Sequence, residues 1–599
     1  MLRLLLFCGL ILVYFNGSSA DYHRKISWTQ KSQNIEAPET CTLEFEGSIV
    51  VDQSRLPYWV ESFALNNSDI DVSINDAIFE PIPNSVITLN DSIGSQLHFK
   101  TEIGTSADHS VLRLTIFPFV KRNNQIEKLV EFSVSVKEKS NLLKSASSAY
   151  SWKTTSVLGS GKWIKIKTKD KGIYKITFDQ LKSWGFSNPE QVSMYGNGGH
   201  MLPVLNKDNR FDDLNVYPVL KGKDNTSKDC LFFYSNGNIR LDENPATGTL
   251  THKQNYYSVE TYFYLSDQGT PKIISKAAEL TDNSGKTINS FTNYAFYEKE
   301  AANLISSGSQ WFGEEFNPGQ SQTVSLTLDN PDLTKPAQFV VSAVARSSAS
   351  SSMNITVNGA SMNTISFNAL TVSDPTSDFA DQKISAFSGL APSKNLQVKM
   401  TYSAFNGSSN AWLDYVSVNY QSFLNMTAAD VYSFRGKGAD GTILVSEFVL
   451  SGASATTKLF DVTDINNTFE MPAVYLDGQL KFKSNSAVPR QYVAFNPGGT
   501  IPVPEWVGTI ANQNLHAADL SEMIIVSNSD LLSAANELAE FHRNTDGMTV
   551  QVVAPDEIYN EFSGGLPDPS GFRNYFRMCY DMGKLNGKNT LKYILLMGD

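Results

Sequence analysis

Cysteine and histidine are scarce in this sequence. Its 599 residues include four cysteines and seven histidines, and Cys8 lies in the apolar amino-terminal run. The other three, Cys41, Cys230 and Cys579, are far apart and odd in number, which excludes a disulfide framework and the ligand spacing of a zinc site. The spacing leaves open whether Cys41 and Cys230 pair. Folding must therefore depend on apolar cores, for which 41% hydrophobic residues suffice.

An excess of positive charge and long apolar runs are also missing beyond the amino terminus. The formal net charge is −12, which argues against nucleic acid or an anionic membrane surface as the main partner. Arg3, an apolar run over residues 4–15 and the small residues Ser18-Ser19-Ala20 have the pattern of a secretory signal. We therefore expect residues 1–20 to be a signal peptide, and the rest of the chain to be secreted or held at a cell surface.

Short alternating segments dominate most of the length, which is too great for a single core. Leu112–Ile116 and Phe132–Val136 alternate apolar and polar residues, as strands with one buried face do. Similar alternation over 320–424, with polar turns and no helical period, predicts a β-sandwich of jelly-roll type. The predicted β modules are an amino-terminal domain (21–150), a second β-rich domain (160–300), the sandwich (315–425) and a further β-rich segment (430–510).

The pattern changes in residues 520–599. Met523–Val526, Thr549–Val553 and Tyr593–Met597 are short apolar strands, and an amphipathic helix is predicted between each pair. Right-handed crossovers would make them a parallel sheet covered on both faces, with ligands at the carboxyl ends of the strands. The predicted fold class is therefore multi-domain and mostly β, followed by the start of an α/β parallel-sheet domain that reaches Asp599.

Each of the two predicted helices has start and stop signals. Ser529 is expected to cap the first helix, and Gly547 to end it. Asp568-Pro569 provides a cap followed by proline at the first helical position of the second, which Gly583 is expected to end. The apolar faces are predicted to consist of Leu531, Ala534, Ala535, Leu538 and Phe541 in the first helix, and of Phe572, Tyr575, Phe576 and Cys579 in the second.

The loops give no clear site. Gly159–Lys162 and Tyr195–His200 are glycine-rich, but neither is followed by the helix that a phosphate loop requires. Asp170-Lys171-Gly172 is expected to be the turn of a β-hairpin. Asp208–Asp213 has acidic residues as a calcium loop does, yet no glycine stands at the sharp-turn position, so an ordinary turn is favoured.

No thiol and imidazole have the spacing of a catalytic pair. Cys579 lies on the apolar face of its predicted helix, where a small core residue is favoured over a nucleophile. His542 has no histidine or cysteine at ligand spacing and is not assigned a role. Glu561 and Asp599 lie at or near predicted strand ends and could border a site, although loop and turn roles are favoured for both.

Several blocks of sequence form a colinear series with a known family. Asn512–Ala517, Ile558–Gly565, Asp568-Pro569-Ser570 with Arg573, and Lys592–Asp599 resemble, in this order, the start of the gingipain-type (C25) cysteine peptidase domain, whose fold is caspase-like. Earlier blocks are similar to the type IX secretion sortases within that family: Lys162–Ile166, Gly172–Ile176, Thr251–Asn255, Tyr297–Glu300 and Phe460–Asp464. Gly308–Glu314 is a looser match, because the family usually has arginine where Ser309 stands.

The resemblance implies a cysteine peptidase at the outer-membrane surface. Such an enzyme would cut the carboxyl-terminal secretion signal from exported cargo and pass the acyl group to lipopolysaccharide or to water. Its partners would be cargo proteins, outer-membrane proteins and the lipopolysaccharide acceptor. In this family the catalytic histidine and cysteine lie beyond the motif that ends at Asp599, so no catalytic, cofactor or metal residue is assigned here. The resemblance implies no cofactor for this chain, leaves calcium open for the complete peptidase domain, and predicts that the chain alone is inactive.

Two other interpretations remain open from the residues. The sandwich over 320–424 would suit a surface adhesin or carbohydrate-binding protein, with aromatic side chains such as Trp412 stacking on sugars. A catalytically inactive peptidase relative acting as a scaffold is the second. The α/β segment has no purpose in a pure adhesin, which favours the peptidase interpretation.

Overall fold

The computed structural model describes most of the chain, and strands dominate it. The described ranges are 19–32, 41–50, 56–65, 70–83, 93–106, 109–123, 125–138, 150–244, 247–405, 407–427, 429–436, 445–485, 488–587 and 591–598. They fall into two compact units, Met1–Ser151 and Trp152–Asp599. The predicted signal peptide lies outside the described residues as far as residue 18, and the first strand begins at Ser19.

The first unit is a β-sandwich. Every second residue of 112–116 and of 132–136 is fully buried in one shared core, as the alternation predicts. One sheet has the order β1-β10-β6 with β9 on β10, the other has the order β4-β5-β8-β7, and β2 and β3 form a hairpin. The strands are β1 (Ser19–Lys25), β2 (Trp28–Ser32), β3 (Cys41–Phe45), β4 (Ile49–Val50), β5 (Pro57–Leu65), β6 (Ile70–Pro81), β7 (His98–Ser106), β8 (His109–Phe117), β9 (Phe119–Arg122) and β10 (Gln125–Glu138).

The second unit begins with another pair of facing sheets. Its elements are β11 (Trp163–Thr168), β12 (Gly172–Thr177), α1 (Phe178–Ser183), β13 (Ser193–Tyr195), β14 (Val216–Tyr217), β15 (Leu220–Lys223), β16 (Asp229–Ser235), β17 (Ile239–Glu243), β18 (Leu250–Gln254) and β19 (Thr261–Ser266). The expected β11–β12 hairpin is wrong. β11 pairs with β19, whereas β12 pairs with β16 in the facing sheet, because Ile164, Ile166 and Ile176 all point into the core between the sheets.

Two further sandwiches follow, and one is the predicted module around residues 320–424. Its sheets have the orders β22-β30-β25-β28, with β23 on β30, and β24-β29-β26-β27; the other module pairs β20-β34-β33-β37-β31 with β21-β32-β36-β35. The strands are β20 (Ser275–Lys276), β21 (Lys286–Ile288), β22 (Ser290–Glu298), β23 (Glu315–Phe316), β24 (Ser321–Thr327), β25 (Pro336–Arg346), β26 (Ser351–Val357), β27 (Ala360–Phe367), β28 (Asp381–Leu390), β29 (Asn395–Ser403), β30 (Asn410–Phe423), β31 (Val431–Gly436), β32 (Val445–Ser451), β33 (Lys458–Asp461), β34 (Phe469–Glu470), β35 (Val474–Leu476), β36 (Gln479–Asn485), β37 (Arg490–Phe495) and β38 (Glu505–Ile510).

Strand membership crosses the expected module limits at two places. β22 ends at Glu298, inside the range expected for the second β-rich domain, but pairs with β30 of the sandwich. β38 ends the expected 430–510 segment, yet it pairs antiparallel with β11. The chain therefore returns to the first sheet pair of this unit just before the α/β segment begins.

The α/β segment confirms the predicted parallel sheet. It consists of β39 (Met523–Ser527), α2 (Leu532–Thr545), β40 (Val550–Val553), α3 (Pro555–Phe562), α4 (Pro569–Asn586) and β41 (Tyr593–Met597). The order is β40-β39-β41, and both pairings are parallel. The short 3-10 helices of the chain are Val157–Gly159, Pro189–Gln191, Ile465–Asn467, Leu515–Ala517 and Ser529–Leu531.

The helices differ from the prediction in four details. The side chain of Asn528, not Ser529, caps the turn before α2. Leu531, Ala534 and Phe541 of the predicted apolar face are exposed. α3 was not expected, so the second crossover contains two helices. α4 runs past Gly583 and ends at Gly587, which has the left-handed φ of 60°, because Gly583 is buried inside the helix and Gly587 is the residue that can adopt the terminating conformation.

Candidate active-site sheet and its docking face

The carboxyl edge of the parallel sheet is where this architecture binds ligands. The residues that follow the strands there are Asn528, Ala554 and Gly598. A Cβ atom built on Gly598 would lie 3.8 Å from Asn528 Nδ2, so β39 and β41 end side by side. The strand order reverses between these two strands, which makes their ends the expected crevice. Asp599, for which the sequence favours a loop or turn role over a place at the border of a site, lies outside the described residues.

Cys230 and Cys579 are the two cysteines whose side chains are described, and both are buried. Burial raises the pKa of Cys579 to about 12 and that of Cys230 to about 11, so both thiols stay protonated at neutral pH. Both are free and buried, and the side chain of Cys41 lies outside the described set. His542 lies on α2, where its Nδ1 is 2.6 Å from the carboxylate of Asp546. These residues are structural, as the sequence indicates for Cys579.

The residues that carry the family resemblance attach the α/β segment to the preceding β module. Asn512 Nδ2 donates to the carbonyl oxygens of Leu158 and Gly161, at 3.3 and 2.9 Å. Asn514 Oδ1 accepts from the backbone N–H of Ser156 at 2.9 Å. The segment before β39 is thereby fixed to the chain that leads into β11.

A buried lysine of β11 anchors α3 to the sheet that contains β11 and β19. Lys165 Nζ donates to Asn560 Oδ1 at 3.0 Å, and the hydroxyl of Tyr264 donates to the same oxygen at 2.7 Å. Burial lowers the pKa of Lys165 to about 8. Gly565 follows with φ +88°, and a Cβ there would lie 2.5 Å from the Tyr264 hydroxyl and 2.9 Å from Lys165 Cε. Only glycine fits that close approach.

A buried histidine lies between two carboxylates at the junction. His516 Nδ1 is 2.6 Å from Glu561 Oε2, and its Nε2 is 3.0 Å from Asp212 Oδ1. Burial by itself would lower the pKa of His516, but its hydrogen bonds to Asp212 and Glu561 and the charges of both carboxylates raise it to about 9. The imidazolium is therefore charged at neutral pH, and the ring stacks on Phe562 with a centroid distance of 4.7 Å.

Glu561 differs from its expected place near a strand end. It lies in α3 and is completely buried. Its second oxygen accepts from the backbone N–H of Leu515 at 2.8 Å and from Gln513 Nε2 at 3.0 Å. Each carboxylate oxygen thus has a donor, so Glu561 holds the junction rather than bordering the sheet edge.

The acidic loop predicted to be an ordinary turn supplies the other half of this junction. Asp212 accepts from His516, and buried Asp213 accepts from the backbone N–H of Val157 and of Leu214 at 2.8 Å each. Burial raises the pKa of Asp213, and those hydrogen bonds oppose the shift. Among the described residues, no group of three or more His, Cys, Asp or Glu side chains is arranged to hold a metal ion.

The first turns of α4 contact the neighbouring loop. Asp568 caps the helix and also accepts from the backbone N–H of Leu202 at 2.8 Å. Arg573 donates to the carbonyl oxygen of Pro203 at 2.6 Å, and Arg210 donates to Asn574 at 2.5 Å. Asp568 and Arg573 belong to the sequence blocks that resemble the family. Their contacts with the neighbouring loop could not be predicted, because the partners lie more than 360 residues away in the sequence.

Known proteins are similar to this chain in both sequence and fold. Residues 516–599 match peptidase family C25. The fold is similar to dimeric latent PorU from Porphyromonas gingivalis, with 25% identity and a TM-score of 0.66 over 74% of this chain and 42% of that chain. This chain therefore spans less than half of the PorU chain. The family resemblance and the fold class predicted from the sequence are confirmed, and the chain is PorU-like.

Two other solved structures match only a small part of this chain, with low TM-scores. The complex of the pro- and mature domains of RgpB from Porphyromonas gingivalis covers 21% of this chain and 84% of that chain, at 10% identity and a TM-score of 0.17. A CBM36 domain of a xylanase from the hindgut metagenome of Trinervitermes trinervoides covers 21% of this chain and 96% of that domain, at 9% identity and a TM-score of 0.16. No curated protein matched the sequence.

Proposed function

We propose that this chain is the amino-terminal part of a cysteine peptidase that acts as a sortase of type IX secretion. The observation that carries the proposal is the similarity to PorU over 74% of the chain, ending in a segment that matches peptidase family C25. Along this chain, the β modules are followed directly by β39, β40 and β41, the three strands proposed to begin the peptidase sheet.

The reaction is an acyl transfer. A cysteine thiolate attacks the peptide carbonyl before the carboxyl-terminal signal of an exported cargo protein, and the signal leaves with a proton on its new amine. An amine of lipopolysaccharide, or water, then attacks the thioester and releases the cysteine. The chemistry needs an activated thiol and donors for the oxyanion. The thiols of Cys230 and Cys579 are buried and protonated, which agrees with the family pattern, where the catalytic cysteine lies beyond the motif that ends at Asp599.

The edge of the parallel sheet supports a larger domain. Among the strands of the described ranges, β41 pairs with β39 alone. Tyr593, Ile594 and Leu596 on this strand are 56%, 48% and 59% exposed. An apolar edge strand of this kind is a site for pairing with further chain. In the proposed enzyme, the second half of the peptidase domain covers it.

The proposed location is the outer-membrane surface. The expected signal peptide directs export, and no helix within the described ranges is long and apolar enough to cross a membrane. The proposed partners are proteins of the outer membrane, with cargo and lipopolysaccharide as substrates. Calcium in the complete peptidase domain stays a prediction.

Deletion of the gene in the source bacterium tests the proposal. We expect cargo proteins to keep their carboxyl-terminal signals, because no other step in the proposed scheme removes them. Mass spectrometry of the carboxyl-terminal peptides of secreted proteins measures this, with the complemented strain as control. Normal removal of the signals in the deletion strain would contradict the proposal.

The chain by itself gives a second test. Incubated with a peptide that carries a cargo signal, the purified chain is expected to cause no thiol-dependent cleavage, because Cys230 and Cys579 are protonated and buried. Mass spectrometry of the peptide, with and without iodoacetamide treatment of the protein, measures this. Cleavage that iodoacetamide abolishes would place the catalytic thiol in this chain and overturn the assignment.

A further inference from the structure

A cavity of about 250 Å³ lies where three β modules of the second unit meet. The β11–β12 turn, the loop after β13 and the β16–β17 turn form one side of it. β22 of the large sandwich, and β31 and β37 of the last sandwich, form the rest. Ligand sites occur preferentially at such junctions between modules. The cavity lies away from the carboxyl edge of the parallel sheet, so none of its lining belongs to the proposed peptidase site.

Cations dominate the wall of this cavity, although the whole chain is acidic. Lys169, Lys171, Arg240 and Arg435 line it. Arg240 is paired, with its Nε 2.9 Å from Asp242. Lys171 forms no ion pair with any described residue. Asp170 is the one acidic residue of the lining, so the surplus of positive charge lies with Lys169, Lys171 and Arg435.

Arg435 is only partly satisfied by the protein. Its Nη2 donates to the carbonyl oxygen of Leu241 at 3.1 Å, whereas its Nε is buried and has no hydrogen-bond partner among the described residues. Burial lowers the pKa of Arg435, and the charges of Glu243, Tyr234 and Asp242 oppose the shift. A buried donor without an acceptor is costly, so an acceptor supplied by a ligand would stabilise it.

Lys171 and Arg435 both line this cavity, so their positive charges share one wall. Desolvation, followed by the charge of Arg435, lowers the pKa of Lys171 to about 8, yet the side chain remains accessible to solvent. Two neighbouring cations with too few counter-ions are the arrangement that an anion relieves. Their placement at the wall of one cavity gives that anion a defined position.

The glycine-rich loop Tyr195–His200 completes the lining. A Cβ on Gly199 would lie 2.5 Å from the carbonyl oxygen of Gly237 and 2.1 Å from the hydroxyl oxygen of Thr261, so glycine is required where the loop meets the β16–β17 turn. This close contact brings His200 to the cavity wall. Burial lowers the pKa of His200 to about 4, which keeps its imidazole neutral at pH 7.

We propose that this cavity binds the oxyanion group of a small ligand, a carboxylate or a phosphate, with Arg435 and Lys171 as its principal donors. The volume is below the range of about 300–1,000 Å³ usual for drug-sized ligands, which favours a compact anion. The amides of Asn236 and Gln491 lie in the same wall and provide further polar contacts. A guanidinium and an ammonium group in the wall of one cavity match both anions.

Calorimetric titration of the purified chain with two probes tests the site at constant ionic strength and pH 7. The probes are inorganic phosphate and N-acetylglycine, with N-acetylglycinamide as the uncharged match of the second. At least one anion is expected to bind with a Kd below about 10 mM, and the amide is expected to bind at least tenfold more weakly than its acid. Tighter binding of phosphate or of the carboxylate identifies the source of the oxyanion.

Four variants locate the binding. Lys171→Gln and Arg435→Gln are each expected to weaken the preferred anion about tenfold or more, the usual effect of losing a charge-assisted hydrogen bond. Lys221→Gln removes the same charge from an exposed side chain of β15 outside the cavity and is expected to change the Kd less than twofold. Arg435→Lys keeps the charge if Arg435→Gln does not fold. Binding of neither anion below about 10 mM, or equal Kd values for Lys171→Gln and the unmodified chain, would overturn the proposal.

Discussion

His516 places a positive charge inside the junction between the β module and the α/β segment. Its pKa, raised to about 9, lies above the ordinary value near 6.5. The stabilisation is therefore fully present below pH 6.5 and is lost as pH rises through 9. The shift corresponds to at most roughly 3 kcal/mol. The difference in Tm between the unmodified chain and His516→Asn should shrink as the pH rises from 6.5 to 9. A Tm difference that stays constant over this range would contradict the charge assigned to His516.

The carboxylate of Glu561 balances the positive charge of His516. Replacing that carboxylate with an uncharged amide tests the ion pair directly. Glu561→Gln keeps the shape but leaves His516⁺ with one carboxylate, so we expect a loss of about 3 kcal/mol in local stability. Amide hydrogen exchange of α3 should become about a hundredfold faster. Glu537→Gln, on an exposed position of α2, is the matched control and should change exchange little. Equal effects of both variants would remove the junction role.

The two buried thiols give a chemical prediction. Because the pKa values of Cys230 and Cys579 are raised to about 11 and 12 and both side chains are buried, neither should react with iodoacetamide at pH 8 in the folded protein. Both should react in urea. Peptide mapping by mass spectrometry separates them from the remaining cysteines, and rapid labelling of Cys579 before unfolding would contradict its position in the core.

At the scale of elements, α3 and α4 function as a docking face. Gly565 ends the α3 region where its backbone touches Tyr264 and Lys165. Gly565→Ala should destabilise the docking by about 2–4 kcal/mol, from left-handed backbone strain together with the clash. Gly547→Ala is the control, since Gly547 has φ +65° and no atom within 4 Å of the added Cβ; it should cost only about 1–2 kcal/mol. Hydrogen exchange of α4 measures the difference, and equal costs would refute the contact.

Element-level prediction succeeded where the signal was local. The apolar runs Met523–Val526 and Tyr593–Met597 and the Asp568-Pro569 start are complete within a few residues, and the structure has the elements they predict. α3 was missed because its N-cap is Ala554, which has no capping side chain; the carboxylate of Glu557 accepts from the Ala554 N–H instead. A helix that begins with this reversed cap followed by proline gives little warning in the sequence.

At the scale of the whole molecule, the pairing of distant segments could not be predicted from the sequence. β38 pairs with β11 across more than 330 residues, and His516 meets Asp212 across 304. Alternation shows that a segment is a strand, but not which partner it has, because any strand with one apolar face satisfies the same pattern. The family resemblance therefore identified the motif residues, whereas their role in docking required the fold.

Sequencing of the gene beyond the codon for Asp599 would show whether the three parallel strands, docked on β modules through the family motif, are the opening part of a cysteine peptidase. We predict an in-phase continuation with a Gly-His-Gly stretch and then a cysteine that follows an apolar strand. A continuation without that histidine and cysteine, or with further β-sandwich repeats, would contradict it.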